Sequence, residues 1–147
     1  MSRLWLAALG AAAVIGCGDD GSNGGPSDLF PDVAGVYVVE GQFDGVDPAD
    51  LSFAGTVTIE QESLESSLLT GTANLTITSS TGENVSVSGA ELLDGGVDLG
   101  GNVGFRVQQG PVASWTFVGE RAGDLLSGSH TLILGGDSRT GTWSGER

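Results

Sequence analysis

Apolar residues recur at every second position along most of the chain after about Val33, and turn-forming residues interrupt this alternation at short intervals. A period of two is typical of half-buried antiparallel strands. The pattern predicts eight strands, at about Gly35–Phe43, Ser52–Gln61, Leu68–Thr78, Asn84–Leu93, Val97–Gln108, Val112–Glu120, Leu125–Leu134 and Arg139–Gly145.

The connections between these predicted strands are short and rich in glycine, proline, aspartate and serine, as turns require. A parallel crossover needs roughly a dozen residues or more, so strands that are neighbours in sequence should pair antiparallel as a meander. Closing the first strand on the last would remove both exposed edges. The sequence therefore predicts an all-β fold of about eight strands in an up-and-down closed barrel, and the alternative is a two-sheet sandwich.

The alternation also predicts which side chains face inward. Every second residue is apolar in the third predicted strand, from Leu69 to Ile77, and in the fifth, from Val97 to Val107, including Leu99. The same parity turns alternate residues of the seventh predicted strand, from Leu126 to Leu134, toward the interior. The large residues expected inside are Phe53, Phe105, Trp115, Phe117, His130 and Trp143.

Four of the predicted strands contain glycine followed by threonine or serine, in the segments FAGTVTI, LTGTANLTI, LSGSHTLIL and RTGTWSG. Glycine inside a strand usually marks a bend, a bulge or a close approach of another backbone. These segments also resemble strands of the avidin and streptavidin family and of small lipocalin-like barrels. That resemblance implies an up-and-down barrel that could hold a ligand inside, and it names no particular ligand.

The chain has 147 residues and a formal charge of −14, with five arginines and no lysine. This length suits one domain. A chain this acidic repels phosphate backbones, so no nucleic-acid partner is expected. The single cysteine, Cys17, cannot form an intramolecular disulfide.

The first sixteen residues have the features of an export signal, with Arg3 followed by the twelve-residue apolar run Leu4–Ile15. This run is too short to span a bilayer, which needs about 20 residues. Val14-Ile15-Gly16-Cys17 resembles the lipobox of bacterial lipoproteins. The resemblance implies cleavage before Cys17, attachment of lipid to its sulfur, and a location in the cell envelope. Because Gly18 follows the cysteine, it further implies the outer membrane in a Gram-negative cell.

Two alternatives to lipidation remain open for Cys17. One is an ordinary secretory signal that leaves a free thiol, and the other is a core helix with a buried cysteine. The polar run GDDGSNGGPSD that follows cannot bury apolar surface and suits a flexible tether. The sequence thus divides into a lipoprotein signal peptide at 1–16, a lipidated cysteine with its tether at 17–32, and a barrel domain at 33–147.

Enzymatic chemistry has few candidate residues, because the chain has one histidine and no lysine. No segment around His130 matches a nucleophile elbow, and a zinc site there would need carboxylates from other strands. Asp44, Asp47 and Asp50 do not have the spacing of a calcium-binding EF-hand loop. We therefore predict no catalytic residue, metal or cofactor.

Three functional hypotheses remain, all for a protein tethered to a membrane by a lipid. The first is a non-enzymatic module whose barrel binds a small apolar or amphipathic molecule, with Phe105, Trp115, Phe117, His130 and Trp143 as the candidate binding residues. The second is a structural or adaptor lipoprotein with a filled barrel that contacts another envelope protein. The third, a hydrolase, has the least support in the sequence.

Overall fold

The computed structural model describes residues 29–111 and 113–147. Within these residues it contains no helix, and its eight strands form one antiparallel meander that closes into a barrel, so the predicted fold class is confirmed. The strands are β1 (Gly35–Phe43), β2 (Leu51–Gln61), β3 (Leu68–Ser79), β4 (Val85–Val97), β5 (Asn102–Gln109), β6 (Ala113–Ala122), β7 (Leu125–Leu134) and β8 (Asp137–Glu146).

Closure joins the first strand to the last, with β1 pairing antiparallel to β8 from Val38, opposite Glu146, to Phe43, opposite Gly141. Each other strand pairs with its neighbours in sequence. One closed sheet therefore replaces the two sheets of the alternative sandwich, and both terminal strands are paired along their edges.

Most of the predicted inward positions are buried, because the apolar residues alternate with polar ones along each strand. The six large residues expected inside are among those buried, and the barrel adds two large residues from β1, Tyr37 and Phe43. The buried core comprises Val33, Tyr37, Val39, Phe43, Phe53, Val57, Ile59, Leu69, Ala73, Leu75, Ile77, Val87, Leu92, Val97, Val103, Phe105, Val107, Trp115, Phe117, Leu126, Leu132 and Trp143, with His130 among them.

The boundary between the fourth and fifth strands was predicted wrongly. Val97 is the last residue of β4, not the first of β5, and Leu99 lies in the intervening turn with 55% of its surface exposed. The carboxylate of Asp98 accepts hydrogen bonds from the backbone N–H and side-chain amide of Asn102, and these bonds stabilise the turn. Leu134 is also not interior: it ends β7 and is 44% exposed.

One end of the barrel is closed by the segment that precedes β1. The backbone N–H of Phe30 donates to the carbonyl of Leu64, and that of Val33 donates to the side-chain oxygen of Gln61. Val33 is fully buried, and its carbonyl accepts the hydroxyl of Tyr37 at 3.0 Å. Leu29–Asp32, which the sequence assigns to the tether, thus lie in a segment bonded to the barrel. We call this the closed end.

Arg147 braces the closed end from the other terminus of the barrel domain. Its guanidinium donates to the carbonyl of Ala34 at 2.7 Å and pairs with Asp124 at 2.8 Å. These contacts join the segment before β1, the β6–β7 turn and the end of β8. The opposite end, where the β1–β2, β3–β4, β5–β6 and β7–β8 connections lie, is called the mouth.

The glycines of the four Gly-Thr and Gly-Ser segments lie where strands approach closely. A Cβ on Gly128 would overlap the carbonyl of Val118 and approach the Cα of Gly119 on β6. Equivalent overlaps with a neighbouring strand's carbonyl occur at Gly55, Gly71 and Gly141. Each of these glycines therefore provides space for an adjacent backbone, as the sequence pattern indicated.

We expect Gly128→Ala to destabilise the barrel by about 1 to 3 kcal/mol, because a methyl group would force β6 and β7 apart. The matched control is Gly104→Ala in β5, where the added Cβ would make ordinary contacts of 3.8 Å. Urea denaturation of both variants measures the difference. Equal midpoints would show that the sheet tolerates the extra methyl group and would contradict the steric argument.

Candidate functional site

The five predicted binding residues lie together inside the barrel. Phe105, Trp115, Phe117, His130 and Trp143 are all buried and pack with Phe43 and Phe53. We call these seven residues the aromatic cluster. Neighbouring ring centroids lie 4.6 to 6.4 Å apart, which is the range of direct aromatic contact. The seven rings therefore contact one another directly and fill this part of the barrel interior.

His130 is the polar residue at the centre of the aromatic cluster, and its exposed fraction is 1%. Its Nδ1 accepts a hydrogen bond from the indole N–H of Trp115 at 3.1 Å. Since Nδ1 is the acceptor, the neutral ring carries its proton on Nε2, which donates to the carbonyl of Gln42 at 2.9 Å. Both ring nitrogens are thus used within the protein.

The bond from His130 to Gln42 crosses an intervening strand. His130 lies on β7 opposite Gly141 of β8, and Gly141 lies opposite Phe43 of β1. A Cβ at Gly141 would come within 2.6 Å of the imidazole Nε2. The glycine therefore leaves the space through which the imidazole reaches β1.

The other indole of the cluster is also satisfied, because Trp143 donates to the carbonyl of Val118 at 3.1 Å. The polar groups of Trp115, His130 and Trp143 all have protein partners. In this arrangement the cluster is an apolar core with internal hydrogen bonds, and its imidazole has no free nitrogen to offer a substrate.

Burial lowers the pKa of His130 below its ordinary value. The hydrogen bond to Gln42 and the negative charge of Asp44 raise the pKa but do not outweigh burial. Protonation would also remove the lone pair that accepts the Trp115 indole N–H. The cluster is therefore compatible with the neutral imidazole and opposes the charged form.

A cavity of about 300 Å³ lies at the mouth, on the outer side of this core. Its walls are apolar, and its rim carries Ser79, Glu83, Asp137 and Arg139. The apolar lining consists of Phe43, Leu51, Ile77, Val85, Leu132 and Leu134. A neighbouring space of about 20 Å³ shares Ile77, Val85, Leu132 and Leu134 with it and reaches Trp115.

The sequence did not single out the mouth, because its lining and rim come from six strands that only closure brings together. Phe43 was included in the first predicted strand but not among the binding candidates. Its place at the end of an alternating run with Tyr37 and Val39 was the available signal. Phe43 belongs both to the aromatic cluster and to the lining of the mouth.

Two of the acidic residues considered for calcium accept hydrogen bonds from other residues of the barrel domain. Asp44 accepts the hydroxyl of Thr140 at 2.7 Å, and Asp47 accepts the backbone N–H of Ala49 at 2.9 Å. Across residues 29–111 and 113–147, the structure brings no three histidine, cysteine or acidic side chains into a group that could bind a metal.

The described part of the chain also has no helix long and apolar enough to span a membrane. Cys17 and the predicted signal peptide lie outside the described residues.

Comparison with protein-family models, with curated proteins and with solved structures finds no match to this chain. The geometry of the barrel and the sequence of the N-terminal segment are therefore the features from which a function can be inferred. The lipobox and the resemblance to avidin and lipocalin barrels stay predictions.

The depressed pKa of His130 makes the stability of the barrel depend on pH. The imidazole of His130 takes up a proton near pH 6.5 in the unfolded chain and at lower pH in the folded state, so the free energy of unfolding should fall as the pH drops below about 6.5. The slope is at most about 1.4 kcal/mol per pH unit. Urea denaturation at several pH values between about 7.5 and 5.5 measures this slope.

The control for this prediction is His130→Gln, which removes the titrating group and leaves every carboxylate in place. The difference between the two pH profiles isolates the contribution of His130 from the effect of net charge. Parallel pH profiles for the parent protein and His130→Gln would mean that the imidazole has the same pKa in the folded and unfolded states, which would contradict the prediction.

Proposed function

We propose that this protein is a lipid-anchored, non-enzymatic binding module of a bacterial cell envelope, and that it takes up a small apolar or amphipathic molecule at the mouth of its barrel. The observation that carries the proposal is the apolar cavity of about 300 Å³ at that end. Small-molecule sites in proteins begin at about this volume and combine an apolar lining with a few polar groups.

The position of the ligand follows from how the interior is occupied. The aromatic cluster fills the barrel between β1, β2, β5, β6, β7 and β8, so an apolar group would rest above it against Phe43 and Leu132. The five binding residues predicted from the sequence would then lie beneath the ligand and would pack against the residues that contact it. They are Phe105, Trp115, Phe117, His130 and Trp143. A polar group on the ligand would meet Glu83, Asp137 or Arg139 at the rim.

The proposed lipid anchor is supported by Val14-Ile15-Gly16-Cys17, which follows a short apolar run. The segment from Leu29 to Ala34 joins the barrel at the closed end, opposite the mouth. A lipid on Cys17 would therefore attach the protein from the closed end and leave the mouth accessible to ligands.

A second candidate is the adaptor lipoprotein. The observation that favours it is the direct contact among the rings of the aromatic cluster, which gives the centre of the barrel a structural role. An adaptor would use its outer surface or its turns to bind another envelope protein, and its mouth would have no ligand.

Binding of the neutral dye N-phenylnaphthylamine tests the mouth. We expect Leu134→Gln to weaken dye binding about fivefold to tenfold, since an amide replaces part of the apolar lining. Ile133→Gln is the matched control, because Ile133 has a similar exposure, 46%, on the opposite face of β7. Equal affinities in the two variants, or an unchanged dye spectrum with the parent protein, would favour the adaptor.

Mass spectrometry of the protein from its native membrane tests the anchor. We expect the mature chain to begin at Cys17 and to carry the added mass of acyl groups on that residue. An N-terminus elsewhere, or an unmodified thiol at Cys17, would overturn the lipoprotein assignment and leave the proposal for the mouth to be judged by dye binding.

A further inference from the structure

The closed end exposes a group of leucines. Leu29 precedes the barrel, Leu64 lies in the β2–β3 connection and Leu99 in the β4–β5 turn. Leu68 and Leu125 are the first residues of β3 and β7, at the same end. These five residues, which we call the leucine rim, have 40% to 61% of their surface exposed.

Hydrogen bonds join the elements that carry the leucine rim. The Phe30 N–H bonds the Leu64 carbonyl, and the Arg121 N–H bonds the carbonyl of Gly101 in the turn that carries Leu99. Arg147 links Ala34 to Asp124, the residue before Leu125. Hydrogen bonds thus fix the segments that carry the leucines relative to one another at this end of the barrel.

The turns at the mouth have a different composition. The β3–β4 connection, from Ser80 to Asn84, exposes serine, threonine, glycine, glutamate and asparagine, and the β7–β8 connection is Gly135-Gly136. Val46 in the β1–β2 connection packs against the core. At the mouth, the exposed apolar residues Val85 and Leu134 line the cavity described above, whereas the closed end carries five exposed leucines. Apolar residues gathered on one surface mark an interaction site, whereas scattered ones do not.

We infer that the leucine rim docks the closed end on the surface of a zwitterionic lipid bilayer, an inference that rests on the proposed lipid anchor at Cys17. Cys17 stands twelve residues before Leu29. A chain of that length spans at most about 43 Å when fully extended. A lipid on Cys17 would thus keep the leucine rim near the membrane, where leucine side chains gain free energy by entering the acyl boundary.

The acidic residues beside the leucine rim determine which class of lipid the closed end can approach. Glu62 and Glu65 flank Leu64, Asp98 precedes Leu99 and Asp124 precedes Leu125. Asp124 is paired with Arg147, but the other three carboxylates have no cationic partner among the ion pairs of the described residues. An acidic surface is repelled by anionic headgroups, so zwitterionic phosphatidylcholine or phosphatidylethanolamine fits this surface better.

The test places the polarity-sensitive fluorophore NBD at Leu99→Cys in the full chain, on phosphatidylcholine vesicles, with Ser80→Cys as the matched probe at the mouth. We expect the probe at position 99 to brighten and to be quenched by spin-labelled lipid, and the probe at 80 to remain in water. Equal, water-like emission from both probes on a membrane-bound protein would overturn the docking and leave the anchor standing.

Two further variants separate leucine contact from simple proximity. Leu64→Ser with Leu125→Ser should lower the equilibrium constant for docking about 100-fold, at about tenfold for each leucine. Val118→Ser with Ile133→Ser removes comparably exposed residues from the barrel wall and should leave docking unchanged. Anionic phosphatidylglycerol should reduce the signal, and an undiminished signal there would overturn the assigned lipid class.

Labelling of the chain without an added cysteine reports on the anchor separately. Lipidated Cys17 takes up no fluorophore, whereas a labelled Cys17 would show that the anchor proposal has failed. In that case, the two probes are read on a Cys17→Ser chain with vesicles added. A lipid-dependent change at position 99 would then support the docking surface alone, and its absence would overturn it.

Discussion

The imidazole of His130 passes over Gly141 of β8 to reach the carbonyl of Gln42 on β1, and it accepts the indole N–H of Trp115 on its other side. This pair of hydrogen bonds connects the last part of the meander to the first at the level of the aromatic cluster. The rest of the interior depends on these two bonds. A buried imidazole is destabilising unless both of its nitrogens have hydrogen-bond partners, and the surrounding rings are shielded from water only when the barrel is closed. The absence of a side chain at Gly141 is the steric condition for the arrangement.

Because the aromatic cluster fills the centre of the barrel, our proposals assign binding to surfaces at its two ends. At the closed end, the segment before β1 packs into the barrel through Val33, and the turns present leucine. At the mouth, strand ends from β1, β2, β3, β4, β7 and β8 surround an apolar cavity with charged residues at its rim. An attachment at one end and a recognition site at the other is the division of roles that our proposals assign to them. The wall between them is rich in threonine and serine, as on Thr56, Thr72 and Thr142.

Local alternation was sufficient to predict the strands and most inward faces, since a period of two depends only on neighbouring residues. It began the fifth strand too early, at Val97, and turned Leu99 inward, because hydrogen bonds from Asn102 to Asp98 set a turn within an apolar alternation. The sequence also identified six of the seven residues of the aromatic cluster, all except Phe43, but not the bond between His130 and Gln42, which are 88 residues apart. The mouth and the packing of Val33 likewise depend on closure and on long-range contacts, which have no local signature.

Closure of β1 on β8 also bears on self-association. Before the two strands meet, each presents an edge of unpaired N–H and carbonyl groups, and the edges are complementary because they pair in the finished barrel. A second copy offers the same two edges, so an open chain can exchange its terminal strand with a neighbour and form a swapped oligomer. Intramolecular closure avoids this outcome, and it competes best when the chain is dilute. A swapped oligomer would contain the same β1–β8 pairing and the same His130 bond over Gly141, so the chain concentration decides which of the two forms.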